Sequence, residues 1–240
     1  MLNQETENHS VSDKKYLVPF ILITSLFFLW GFARAILDVL NKHFQNALHI
    51  SITQSALIQV TTYLGYFLMA IPAGIFINKY GYRRGVVFGL LLFGLGAIFF
   101  IPGASIGSFS AFLFCLFVIG CGLVFLETAA NPYVTELGAR ETATSRLNLS
   151  QSFNGLGSIF ATFCIGQFLF NDTQQGGNVV IPYAILGVLV LAIAVVFSRV
   201  DLPEIQHQQT TEDKAKGSNI AKLFANHRMF VFGLFALLSY

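Results

Sequence analysis

Residues 17–38 read LVPFILITSLFFLWGFARAILD, an apolar run that contains one arginine, Arg34, and ends on a carboxylate, Asp38. Residues 112–134 read FLFCLFVIGCGLVFLETAANPYV and carry a second carboxylate, Glu127, within a run of the same kind. A helix of about 20 apolar residues crosses the ~30 Å hydrocarbon core of a bilayer. Both runs therefore predict membrane-spanning helices that bring an acidic side chain to the level of the lipid.

The composition of the whole chain supports this prediction. Hydrophobic residues make up 55% of the 240 residues and charged residues 11%, whereas soluble domains carry about 25% charged residues. The apolar runs show no alternation of polar and apolar residues, so helices are favoured over barrel strands, and the frequent glycines suit close helix packing in lipid. We predict an all-α membrane protein whose six spans cover residues 17–41, 54–77, 85–103, 108–135, 147–170 and 179–198.

Lysine and arginine residues indicate how the spans are oriented. Two lysines precede the first span, and most other cations lie between spans two and three, between spans four and five, and after span six. Because cytoplasmic loops are enriched in Lys and Arg, these segments and the N-terminus are predicted to be on the cytoplasmic side of a multi-pass membrane protein. Topology accounts for the cations, so the net charge of +2 does not indicate a nucleic-acid partner.

Four segments follow from the spans: a cytoplasmic tail at 1–16, a six-helix bundle at 17–198, a cytoplasmic linker at 199–228, and the start of a seventh helix at 229–240. The linker is rich in Gln, Thr and charged residues, which is typical of flexible connections. The last segment, MFVFGLFALLSY, would be about 18 Å long as a helix, too short to cross the bilayer core. We therefore expect the first half of a longer membrane protein, without its C-terminal six-helix half.

The two carboxylates are the first candidates for function. An ionised side chain at bilayer depth costs roughly 2.5–3.5 kcal/mol, so such groups usually face a polar cavity on the path of a substrate or a proton. Asp38 and Glu127 could each take up and release a proton in turn. The alternatives are an Asp38 that is simply solvated at the end of its helix, and a Glu127 that makes a structural bond between helices. Arg34 shares a helix face with Asp38, where it either forms an ion pair with Asp38 or holds substrate hydroxyls.

A stripe of amides lies at the start of the fifth span, at Asn148, Gln151 and Asn154. A spacing of three residues keeps these side chains roughly on one face of a helix. Each amide offers both donors and an acceptor, which suits the hydroxyl groups of a sugar; hydrogen bonds between helices are the alternative. In the second span, Gln59 and Tyr63 are four residues apart and could extend the same wall.

The remaining candidates carry weaker signals. The single tryptophan, Trp30, either lines a cavity or packs between helices. The three cysteines, Cys115, Cys121 and Cys164, fall inside apolar spans and are predicted to be packing residues. Their spacing suits neither a disulfide framework nor a metal site, so no metal and no cofactor are predicted.

The turn between spans two and three reads GIFINKYGYRRG, residues 74–85. It resembles the signature loop of the major facilitator superfamily, G-x-x-x-D-R-x-G-R-R, which the family uses in gating. The four matching residues are Gly74, Gly81, Arg83 and Arg84. This chain has Asn78 in place of the acidic residue and Lys79 in place of the first arginine, which weakens the gating interactions that the acid normally makes.

Three further stretches narrow the resemblance: SLFFLWGFARAILDVLNKHFQ at 25–45, LETAANPYV at 126–134 and RLNLSQSFNGLGS at 146–158. Together they look like the fucose permease group of proton-coupled sugar transporters, over roughly residues 17–200. The resemblance implies a twelve-helix fold in two halves, with helices one, two, four and five lining a central cavity on the N-terminal side.

The resemblance also implies roles for individual residues. The group's proton-handling acids fall on Asp38 and Glu127, and its span-five amides fall on Gln151 and Asn154. Arg34 stands where an uncharged amide is expected, so the sugar itself is left open. We expect a proton–monosaccharide symporter that works by alternating access, and not an enzyme. The alternatives are a non-transporting membrane sensor or remnant of the same fold, and an intramembrane enzyme that uses the two acids.

Overall fold

The computed structural model describes residues 14–47, 51–106, 108–170 and 180–200, together with Phe232. The chain divides into two compact units, Met1–Ile205 and Gln206–Tyr240, and the helices below belong to the first. Within the described residues the regular structure is helical throughout, which confirms the all-α prediction. The helices are α1 (Lys14–Ala47), α2 (Ile52–Tyr80), α3 (Tyr82–Ile98), α4 (Phe100–Ile106), α5 (Phe109–Glu136), α6 (Ala143–Phe170) and α7 (Val180–Arg199), with a 3₁₀ turn at Arg140–Thr142.

Every predicted span lies on a helix. For α1, α2, α5, α6 and α7 the ends differ only slightly from the prediction, and the largest difference is that α1 continues from 41 to Ala47. The third span, predicted as one stretch at 85–103, is divided at Phe99 into α3 and α4. Pro102 explains the division, because proline cannot donate to the carbonyl of Ile98 and its ring crowds that carbonyl.

The apolar lengths of the helices match a membrane. Among the described residues, four stretches are long and apolar enough to cross a bilayer: Tyr16–Ile36, Ala56–Tyr80, Tyr82–Gly103 and Phe109–Glu136. Helix α7 contributes a shorter apolar stretch. Helix α6 has 28 residues, about 42 Å of helix, so its length suffices, while the amides along its first half make it less apolar.

Short junctions fix both ends of α2. At its start, the Gln54 N–H donates to Ser51 Oγ at 3.1 Å and the Ser51 N–H donates to Gln54 Oε1 at 3.0 Å, a reciprocal cap. At its end, Gly81 has φ 87° and ψ 163°, a combination that is essentially restricted to glycine. Because α3 begins at the next residue, the turn between the two helices takes a single residue.

The tightest helix contacts are α1 with α6, α5 with both α2 and α3, and α3 with α7. Glycines lie at all four contacts: Gly31 and Gly157 between α1 and α6, Gly65 and Gly120 between α2 and α5, Gly89 and Gly122 between α3 and α5, and Gly94 and Gly187 between α3 and α7. A Cβ at any of these positions would come within 3.0 Å of the facing helix. The glycines therefore set the helix separations, as small residues do in lipid.

Several predicted segments lie largely outside the described residues. Helix α1 takes in the last three residues of the predicted tail 1–16, and the first thirteen are not described. The linker 199–228 is described only to Val200, and the predicted seventh helix 229–240 only at Phe232. The proposed boundaries of these segments stay predictions.

Candidate functional site

A groove of about 620 Å³ opens between α2 and α5. Its volume lies within the range of small-molecule sites, about 300–1,000 Å³. Its lining comes from α2 through Tyr63, Tyr66, Phe67 and Ala70, and from α5 through Val124, Glu127, Thr128, Asn131 and Pro132. Glu127, the predicted proton-coupling carboxylate, is one of these lining residues, and its side chain is half-buried.

One turn of α5 supplies a carboxylate and an amide to the groove. Glu127 and Asn131 are four residues apart and share a helix face. Pro132 lies inside α5 and has no N–H, so it cannot donate to the carbonyl of Thr128 one turn earlier. A carboxylate and an amide therefore lie together on the groove wall, next to a helical turn that lacks one backbone hydrogen bond.

A smaller pocket of about 50 Å³ shares two residues with this groove. It is lined by Arg34 of α1, by Gln59 and Thr62 of α2, and by the same Tyr63 and Tyr66 that line the groove. The Arg34 Nη2 donates to the Tyr63 hydroxyl at 3.3 Å. Through the shared tyrosines, Arg34 and Gln59 belong to the same polar surface as the carboxylate on α5.

Trp30 forms a second hydrogen bond between α1 and α2. Its Nε1 donates to the Tyr66 hydroxyl at 3.2 Å, and its ring stands edge-on to Phe27 with the centroids 6.2 Å apart. Trp30 and Arg34 are four residues apart on α1, and their two tyrosine partners are three residues apart on α2. Two side-chain hydrogen bonds, one turn apart, thus connect these helices.

Asp38 belongs to α1, one turn beyond Arg34. Its side chain lies outside the described part of the chain. The predicted ion pair between the two residues therefore stays a prediction.

The amide side chains along the first half of α6 make two different kinds of contact. The Gln151 Nε2 donates to Asn131 Oδ1 at 3.2 Å, so this amide is attached to the groove wall of α5. The Asn154 Nδ2 donates to the Phe27 carbonyl at 3.1 Å, which makes it a bridge between α6 and α1. Asn148 is exposed. The even spacing of the three amides did not indicate this division.

The predicted gating loop contains two residues with defined contacts. Gly81 makes the turn between α2 and α3. Arg83 Nε donates to the Phe197 carbonyl at 3.4 Å, and its Nη2 donates to the Ser198 carbonyl at 2.6 Å. These carbonyls belong to the last turn of α7, where a cation interacts favourably with the helix dipole.

The other loop residues are more open. A Cβ built on Gly74 would meet no atom within 4 Å, and Arg84 is exposed. Lys79, which replaces the family's arginine, has its ammonium 5.2 Å from the centroid of the Tyr80 ring. Asn78, which replaces the acid, is exposed.

The sequence indicates Arg146 only as a charge that sets the topology, whereas the structure shows that it connects the end of α5 to α6. It is 3% exposed and donates to the carbonyls of Val134, Thr135 and Ala139 at 3.1, 2.8 and 2.8 Å, and to the Thr142 hydroxyl. The first two carbonyls close α5, whose last carbonyls have no partner within the helix. The available signal was its position one turn into α6, ten residues after α5 ends at Glu136.

Two groove residues were also missed. Tyr66 lies three residues after the predicted Tyr63, and Asn131 lies four residues after the predicted Glu127. Extending each predicted residue by one helical turn would have found both. The three cysteines are free thiols. Cys115 and Cys121 are buried, in agreement with their predicted role in packing, and Cys164 is half-buried.

Comparisons with known proteins agree with this architecture. Residues 23–240 match the Major Facilitator Superfamily. The L-fucose-proton symporter of Haemophilus influenzae is 37% identical over 228 residues, which cover 84% of this chain and 53% of that protein. The glucose/galactose transporter of Brucella abortus is 36% identical over 223 residues, which cover 90% and 54%. The chain spans about half the length of the curated relatives it matches.

Solved structures give the same picture. The fucose:proton symporter of E. coli superimposes with a TM-score of 0.73 and 35% identity, over 89% of this chain and 57% of that one. The xylose transporter of E. coli, in an inward open conformation, gives a TM-score of 0.65 over 86% of this chain and 54% of its own. At 14% identity, the second match concerns the fold alone.

Proposed function

The chain belongs to the Major Facilitator Superfamily, and we propose that it forms the N-terminal half of a proton-coupled monosaccharide symporter. The substrate class comes from relatives that are L-fucose-proton symporters and glucose/galactose transporters. Transport, and not catalysis, is the activity that such relatives support.

The observation that carries the proposal is the connected surface around Tyr63 and Tyr66. On one side of these tyrosines lies the carboxylate of Glu127, and on the other lie Arg34 and Gln59. A proton-binding group and hydroxyl-binding groups therefore share one wall. Such an arrangement suits symport, because the charge state of the acid can act on the sugar through neighbouring groups.

Transport would proceed by alternating access. Two helix bundles rock about a site near the middle of the membrane, which opens first to one side and then to the other. In this proposal a proton on Asp38 or Glu127 favours sugar binding, and both are released on the opposite side. The second wall of the site is supplied by a C-terminal six-helix bundle, which is the partner this function requires.

The proposed roles follow the sequence expectations. Asp38 and Glu127 carry the proton, Arg34, Gln59, Gln151 and Asn154 bind the sugar, and Gly74, Gly81, Arg83 and Arg84 form the gating loop. Asn154 serves two purposes: one N–H bonds to α1, while a carboxamide has a second N–H and an oxygen to offer.

The proposed location is a bacterial inner membrane. The distribution of Lys and Arg supports an N-terminus and an α2–α3 turn on the cytoplasmic side. Single cysteines placed at Ser10 and, as a control, at Ser51 test the orientation by labelling in intact cells. A label that reaches Ser10 but not Ser51 from outside would reverse it.

The function is tested by Glu127→Gln in the full-length product of the gene, reconstituted in proteoliposomes. The amide resembles a permanently protonated carboxyl, so proton-driven accumulation of L-fucose, D-galactose or D-glucose is expected to be lost while sugar exchange continues. Glu136→Gln is the matched control, because Glu136 lies on the same helix, is exposed and does not line the groove.

Three outcomes decide the proposal. Accumulation lost with exchange retained supports it. Normal proton-driven accumulation in Glu127→Gln removes this residue from coupling. Saturable sugar binding by the unsubstituted protein without any transport would instead favour a sensor of the same fold.

A further inference from the structure

The hydrogen bonds between α1 and α2 have a fixed direction. Tryptophan and arginine side chains are donors only, so the hydroxyl oxygens of Tyr66 and Tyr63 must be the acceptors in their bonds with Trp30 and Arg34. Each tyrosine hydroxyl keeps its hydrogen for another partner.

Both tyrosine hydroxyls belong to side chains that line the groove. Tyr63 is exposed and Tyr66 is half-buried, with their ring centroids 6.3 Å apart. Among the residues that the structure describes, no protein acceptor is recorded for either hydroxyl hydrogen. The groove therefore contains two O–H donors from one face of α2, each oriented by a donor on α1.

We propose that Tyr66 and Tyr63 are sugar-binding residues that donate to hydroxyl oxygens of the transported monosaccharide, with Trp30 as the positioning residue that orients Tyr66. The inference rests on the proposed function and extends it to residues that the sequence did not select as ligands. Sugar oxygens are suitable acceptors, and the tyrosine rings give the ring C–H groups an apolar surface in the same groove.

The competing acceptor is the carboxylate of Glu127, which lines the same groove. If the Tyr66 hydroxyl donated to that carboxylate, replacing Tyr66 would change proton coupling and would leave the preference among sugars unchanged. The two possibilities therefore differ in which measurement changes.

The test combines Tyr66→Phe with sugars that lack single hydroxyls, in proteoliposomes containing the full-length gene product. Monodeoxy analogues of D-galactose and D-glucose are compared with the parent sugars through KM and the maximal rate. In the unsubstituted protein, one deoxy analogue should show a KM roughly 3- to 10-fold higher than its parent, as expected for one hydrogen bond. Tyr66→Phe should raise the KM for the parent by a similar factor and show no further penalty with that analogue.

Two further variants complete the experiment. Trp30→Phe should reduce the discrimination against the same analogue while the tyrosine is still present, which a general packing defect would not do. Tyr183→Phe is the matched control: it removes a fully buried tyrosine hydroxyl from α7 that has no hydrogen-bond partner in the described residues. It should leave every KM unchanged.

The outcomes are separable. Loss of discrimination at one hydroxyl position in Tyr66→Phe supports the inference. An equal loss for all analogues, an unchanged KM, or a changed pH profile with unchanged sugar preference overturns it and leaves the symport proposal standing. No saturable uptake of any sugar by the unsubstituted protein would overturn the symport proposal, and this inference with it.

Discussion

Helix pairs α1–α6 and α2–α5 both pack backbone against backbone, but they use their polar side chains differently. Between α1 and α6, Asn154 and Ser158 donate to the carbonyls of Phe27 and Gly31, at 3.1 Å in both bonds. Between α2 and α5 the contact is made by glycines, and the Thr62 hydroxyl bonds back to its own helix at Ile58, at 2.9 Å.

The difference explains where the groove lies. Asn154 and Ser158 bond α6 directly to the helix it packs against. Tyr63 and Tyr66 of α2 and Asn131 of α5 also have partners, but those partners lie on α1 and α6, and the three side chains line the cavity between α2 and α5. In lipid, interhelical hydrogen bonds contribute about 0.6 kcal/mol on average, so close glycine contacts can replace them at modest cost. The α1–α6 pair therefore serves chiefly as scaffold and is called the scaffold pair below. The α2–α5 pair forms the wall of the site and is called the groove pair.

The strongest test of the scaffold pair is Gly157→Ala. A Cβ there would overlap the Phe28 carbonyl, which belongs to a helix backbone and cannot move aside alone. The free energy of unfolding should fall by about 1–3 kcal/mol or more, measured by thermal unfolding in detergent. The control, Gly155→Ala, lies two residues away on α6 where a Cβ meets nothing, and should be neutral or stabilising by up to ~1 kcal/mol. Equal effects of both substitutions would contradict the packing argument.

The same experiment on the groove pair should give a smaller effect. In Gly65→Ala the Cβ would lie 2.8 Å from the Phe117 carbonyl, which is also helix backbone, so the two helices must move apart, but by less than at Gly157, where the overlap is larger. We expect a loss near 1 kcal/mol, the lower end of overpacking costs. Gly74→Ala on the same helix is the control, since its Cβ meets no atom within 4 Å. A loss in Gly65→Ala that exceeds that in Gly157→Ala would reverse the assignment of scaffold and wall.

Asn154→Ala sharpens the comparison by separating packing from binding. Removing the Asn154 amide should lower the free energy of unfolding by about 0.6–1.7 kcal/mol, because a hydrogen bond from α6 to α1 is removed. Gln151→Ala, whose partner lies on the groove wall, should affect sugar KM more than unfolding temperature. Unfolding temperatures and KM values measured on the same preparations distinguish the two. An Asn154→Ala variant with unchanged stability would show that its bond contributes nothing to packing.

The smallest effect is expected when both members of the buried pair Thr24 and Ser150, whose hydroxyl oxygens are 3.1 Å apart, are replaced together. Thr24→Val alone strands a buried hydroxyl and should cost about 1 kcal/mol. Thr24→Val combined with Ser150→Ala removes both partners and should be close to neutral. If the double variant loses as much as the sum of the single ones, the pair is not acting as a unit.

The fold was largely predictable because hydrophobic length and period dominate in lipid. Helices at all six spans were predicted from hydrophobic length, and an acid at bilayer depth was expected to face a cavity, where the structure has Glu127 lining a groove. Arg34 was expected to pair with Asp38 or to hold substrate hydroxyls, and its bond to Tyr63 was not predicted. Asn154 shows the limit: its spacing matched Gln151, and the use of each amide depended on which helix packed against α6. The break at Phe99 was missed although Pro102 was visible, because an apolar run was treated as one helix.

Arg146 and Tyr66 show a second limit. A buried arginine at a helix end cannot be told from a topological charge until the carbonyls around it are placed. Likewise, the role of a tyrosine hydroxyl is set by its donor on another helix. Such partners are determined by tertiary structure, which local periodicity does not contain.

The contact between Arg83 and the end of α7 also has a consequence for biosynthesis. Its acceptor carbonyls, at Phe197 and Ser198, are synthesised 114 and 115 residues after the arginine. At about 5–20 residues per second, a ribosome needs roughly 6–23 s to produce them. By contrast, the α5 carbonyls that Arg146 binds, at Val134 and Thr135, are synthesised before the arginine itself. The bonds between Arg146 and α5 can therefore form as soon as α6 is made, while the contact of Arg83 with α7 can form only after α7 has been synthesised.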